Sequence, residues 1–192
     1  MSLGNPSWDP ESMIRDVHEA SLWLGRAYIQ MREWVQLDPN THYASKNLAR
    51  HRLCYACNGK EDFQVDGLQR PYVGLRCDDN AQVGTADWLG WLCHETAHDF
   101  FHEPRLTSDA EGWGDGLCDY SRYHLLRTLG MPQAAKQFRT KLACAPLNDK
   151  WKYPAKLLLG YECKNHLLGP REVFRSLREN PITQVLGRPT WQ

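Results

Sequence analysis

The fold class predicted for this 192-residue chain is α+β, a small sheet followed by a mostly helical half. Three observations carry that prediction. Apolar residues recur at helical spacing over 10–36, the pattern changes to short alternating stretches over 62–77, and helical spacing returns from residue 85. The length suits one domain with a substantial core. No internal repeat, low-complexity tract or linker divides it, so residues 1–192 are read as one domain.

The first helix is marked by Ile14, Val17, Trp23 or Leu24, Tyr28, Met31 and Val35, with Asp9-Pro10 as its start signal. A shorter helix over 41–52 completes an N-terminal helical region, 10–52. The small sheet is expected over 62–77. Phe63 and Val65 alternate with polar neighbours there, and Tyr72-Val73-Gly74-Leu75-Arg76 reads as a short strand. Two helices follow within 85–129. The first begins near Thr85, carries apolar residues on more than one face and ends before Pro104. The second covers roughly 108–129 and is stopped by Gly130 and Pro132. Helices over 132–143, 152–167 and 170–179 form the C-terminal half.

Lysine plus arginine and aspartate plus glutamate both number 23, a balance that argues against a partner recognised by phosphate neutralisation; no nucleic acid is expected. No apolar run approaches the roughly 18–20 residues of a membrane span. Residues 1–10 are polar and lack a signal-peptide core, and the cysteine count is odd, at seven. These features favour the cytoplasm, with secretion the expectation if a leader had been removed. Cys93 and Cys118 fall in helical patterns and read as small buried hydrophobes. Cys54 and Cys57, with Cys77 further on, have part of the spacing of a structural zinc site, a disulfide or plain thiols being the other readings.

The chemistry concentrates in His94-Glu95-Thr96-Ala97-His98. Histidines four apart on a helix share a face, so two imidazoles can converge on one ion. Glu95, beside the first of them, is placed to act as general base toward a water at the open position. Two histidines and a glutamate in an aromatic-rich helix would be costly to bury without a partner such as a metal.

A catalytic zinc takes three protein ligands and keeps one position open. Glu111, Asp115 and Asp119 lie four apart downstream and offer two registers. Either Glu111 binds and Asp115 supports, or Asp115 binds and Asp119 orients a ligand histidine from behind. Capping by Ser108 and Glu111 accounts for Glu111 without a metal, which favours Asp115. Tyr153, Tyr161, Tyr123 and His166 are candidate donors to a developing oxyanion.

The stretch from His94 to Arg122 resembles the plant basic secretory proteins and related gluzincin peptidases. In that family a His-Glu-x-x-His helix is followed by one reading Glu-Gly-x-Ala-Asp-Tyr-x-Arg. Asp115-Gly116-Leu117-Cys118-Asp119-Tyr120-Ser121-Arg122 matches its glycine, aspartate, tyrosine and arginine, with Asp115 replacing the ligand glutamate. Glu111-Gly112-Trp113-Gly114-Asp115 keeps the glutamate but loses the tyrosine and arginine. The resemblance covers about half the chain and implies a zincin-like fold, one catalytic zinc and hydrolysis of peptide bonds in a peptide or protein substrate. Two other readings compete. His98-Asp99 can form the core of an HD-type metal-dependent phosphohydrolase with His51 and Asp149, or the zinc can serve only to stabilise a binding module.

Overall fold

Pro10 opens helix α1 (Pro10–Val35), where its missing N–H costs nothing in the first turn. The structure, a computed structural model, describes residues 10–36, 52–56, 63–65, 71–76, 86–101 and 113–187, with side-chain surroundings given for 22–36, 89–98, 100–101 and 113–187. Along α1, Leu24, Ala27, Tyr28, Met31, Trp34 and Val35 are buried, each three or four residues from another of the set, the stripe that helical periodicity predicts. Arg178 donates to the Val35 carbonyl and to Gln36 Oε1, tying the end of α1 to the C-terminal half.

Helix α2 (Ala86–Phe101) carries the His-Glu-x-x-His motif, and α3 (Trp113–Thr128) lies against it. Partner residues on the two run in opposite order, with Asp115 near His98, Asp119 near His94 and Arg122 near Trp91. The helices are therefore antiparallel. Helices α4 (Pro132–Ala143), α5 (Lys152–Lys164), α6 (Pro170–Glu179) and α7 (Ile182–Leu186) follow. The first three match the expected segments closely; α7 lies beyond them. Phe174 of α6 meets Phe101 of α2 and Tyr120 of α3, with ring centroids 5.3 and 5.7 Å apart, and so closes the core. Burying each such side chain contributes roughly 1.5–3 kcal/mol, so packing outweighs helix propensity here.

The α+β, zincin-like expectation requires correction. Buried side chains among the described residues lie on helices or their turns, and the core is enclosed helix on helix. A sheet layer is not seen in that body, which is predominantly helical. Among the described residues, backbone strand pairing joins only Arg52–Ala56, Phe63–Val65 and Pro71–Arg76. The expected helix over 41–52 lies outside the described residues.

Local turn chemistry sets the helix ends. Gly130 takes a φ of 91° after α3, and Met131 N–H reaches back to the Leu126 carbonyl, closing a Schellman turn. His166 does the same after α5 with a φ of 54°, as Leu167 N–H bonds to the Glu162 carbonyl. Gly116 of α3 faces α5, where an added Cβ would come within 2.2 Å of Pro154 Cβ.

Candidate metal centre

His94 and His98 stand one turn apart on α2, and their Nε2 atoms approach to 3.2 Å. From α3, Asp115 brings Oδ1 to 3.7 Å from His94 Nε2 and 3.4 Å from His98 Nε2. The third carboxylate, Asp119, is buried and takes His94 Nδ1 at 2.8 Å. A carboxylate accepts, so Nδ1 carries a proton toward Asp119 and the ring is held with Nε2 toward His98 and Asp115. Cys118 shares this face of α3, and its sulfur and the two histidine nitrogens all lie within 4.8 Å of one another. His94, His98 and Cys118 form a group that can hold a metal ion.

The donor set has the size of a metal shell. In a tetrahedron whose corners lie about 2.0–2.1 Å from the ion, neighbouring corners are about 3.3–3.4 Å apart. The observed separations among His94, His98 and Asp115, 3.2, 3.4 and 3.7 Å, fall around that edge.

Burial pushes the His94 imidazole toward neutrality, but the carboxylates of Asp115, Asp119 and Glu95 outweigh it and raise its pKa to about 9. Asp115 is held below the ordinary carboxylate range, chiefly by His94, with His98 and Lys150 adding to the effect. A metal must displace the His94 proton. Zinc uptake at pH 7 is therefore expected to release about one proton from this ring, and affinity is expected to climb as pH rises toward 9. Calorimetry in two buffers of different ionisation enthalpy measures the release; uptake that releases no proton contradicts this account. In the metal-free chain the sign reverses. Stability from charged His94 is fully present below its unfolded pKa of 6.5 and is lost as pH climbs through about 9.

Comparison with protein-family models, with curated proteins and with solved structures finds no match for this chain.

Glu95 is buried beside His94, close enough for its charge to act on the ring. Trp91, one turn earlier on the same face, sets its ring 5.6 Å from that of His94. The other predicted residues are placed differently. Glu111, Cys57, Cys77 and His51 lie outside the described residues, as do the side chains of Cys54 and Asp99. Tyr161 bonds to Ser176 Oγ at 2.6 Å, a link between α5 and α6. Tyr123 is buried edge-on to His124, and His166 is exposed at the end of α5. Tyr153 sits in the first turn of α5, next to the Pro154 that packs on Gly116. Asp149 accepts from the backbone N–H of Trp151 and Lys152 ahead of α5, which accounts for it without a metal.

Two features were missed in the sequence. Cys118 reads as a core residue, yet its position three after Asp115 already places it on the metal-facing side of α3. Glu162 of α5 accepts from Tyr120 Oη at 2.6 Å and pairs with His124 Nε2 at 2.9 Å. Those partners lie about forty residues away in sequence, and no local pattern signals them.

Proposed function

We propose that the protein is a zinc-dependent peptidase with His94, His98 and Asp115 as metal ligands and Asp119 as the residue that orients His94. The observation that carries this reading is the near-tetrahedral spacing of His94 Nε2, His98 Nε2 and Asp115 Oδ1 beside a buried glutamate. Zinc held there supplies Lewis acidity, which makes water a nucleophile near neutral pH and polarises a scissile carbonyl. The Glu95 carboxylate accepts the proton from the attacking water and returns it to the leaving amine nitrogen. Asp119 keeps the His94 ring in the orientation and tautomer that present Nε2. Asp115 is 42% exposed at its side chain, so the ligand set borders solvent, where a peptide can enter.

Cys118 favours a second reading. A thiolate added to two imidazoles and a carboxylate would complete four donors, and a closed shell stabilises a fold without catalysing a reaction. Metal analysis with peptide-library digestion separates the two. The expected result is one zinc per chain, cleavage by the zinc-loaded protein, and loss of cleavage on chelation. Tight zinc without cleavage establishes the structural reading, and a chain that cannot take up zinc overturns both.

A further inference from the structure

The metal-facing side of α2 continues beyond the two histidines. Trp91 lies three residues before His94 and seven before His98, on the same stripe, yet it is 40% exposed while nearly every described neighbour on the helix is buried. One side of its indole is supported. The Arg122 guanidinium carbon lies 4.8 Å from the Trp91 ring centroid and 4.1 Å from that of Phe138, so the cation is clamped between two aromatic rings. Gly90 leaves room for this clamp, since a Cβ there would come within 2.8 Å of Arg122 Nε and Nη2. A glycine, a buried arginine and a phenylalanine thus hold a part-exposed indole beside the imidazole that the proposed metal requires.

We propose that Trp91 is an aromatic wall for the ligand that meets the metal centre. It selects molecules with an aromatic or large apolar group adjacent to the group that meets His94 and His98. This inference rests on the metal centre proposed above and adds the class of side chain that the site takes. An exposed indole face offers apolar area and offset or edge-on ring contacts, and an aromatic ligand group gains both where a methyl group gains little.

Acetohydroxamate and phenylacetohydroxamate share one zinc-binding group and differ by a phenyl ring, so their binding to zinc-loaded protein isolates the wall. Wild type is expected to bind the phenyl compound about tenfold more tightly. Trp91→Phe should keep that preference, and Trp91→Ala should bring the two affinities close to equality with zinc content and acetohydroxamate binding unchanged. Should Trp91→Ala fail to hold zinc, Trp91→Leu is read in the same way, its preference falling below that of Trp91→Phe. A wild type without preference, or a preference that survives Trp91→Ala or Trp91→Leu, overturns the wall while acetohydroxamate binding leaves the open metal site standing. Failure of both compounds to bind zinc-loaded wild type means a closed shell, and then the wall and the peptidase reading fall together.

Discussion

Glu95→Gln is expected to keep zinc uptake near the wild-type level while peptide hydrolysis falls by about 10²–10⁴-fold. The amide preserves the size and much of the hydrogen-bonding capacity of the carboxylate but cannot take a proton from water. The Glu95 charge helps hold the proton on His94, so the substitution also lowers the cost of expelling that proton when zinc binds. Zinc titration and thermal unfolding of the loaded variant separate lost chemistry from lost folding. Near-normal turnover in a zinc-replete Glu95→Gln protein would remove Glu95 from the mechanism, whatever the metal content.

The second large effect concerns the ligands. Asp115→Ala removes the oxygen that stands 3.4 Å and 3.7 Å from the two histidine nitrogens, and zinc affinity is expected to collapse. Asp119→Ala leaves the ligands in place but frees the His94 ring, a loss of about 10–100-fold. Cys118→Ser is expected to change zinc affinity little if the thiol is a neighbour and not a donor. Glu111→Ala is expected to retain zinc. Zinc titration of the four variants reads the ligand set directly. A collapse in Cys118→Ser with binding intact in Asp115→Ala assigns the third position to the thiol, and a collapse in Glu111→Ala alone restores the other carboxylate register.

Much of the helical body was legible because its signals are local. Pro132 and Pro170 open their helices at the expected residues, Gly130 closes α3, and the buried stripe of α1 repeats at helical spacing. The layer architecture was not legible. Alternation at Phe63 and Val65 and the run Tyr72–Arg76 suggest strands, but local pattern cannot report whether strands grow into a layer that shares the core. At the candidate site, the placement of His94 and His98 followed from a spacing of four. The nearness of Asp115 and Asp119 followed from adding the same spacing on a second helix. Cys118 is buried in its helix as the sequence predicts, and only the facing helix reveals that its thiol also stands beside the two histidines.

The Glu162 carboxylate has a mechanical consequence. Tyr120 and His124 meet it on α5, while Asp115 and Asp119 meet the histidines on α2, so α3 is gripped from two sides at different angles about its axis. A cylinder held that way cannot roll. Turning α3 enough to carry Asp115 off His98 would also tear Tyr120 and His124 from their shared oxygen. Glu162 thereby works as an index pin, fixing from the far side the rotational setting at which the two aspartates address the imidazoles.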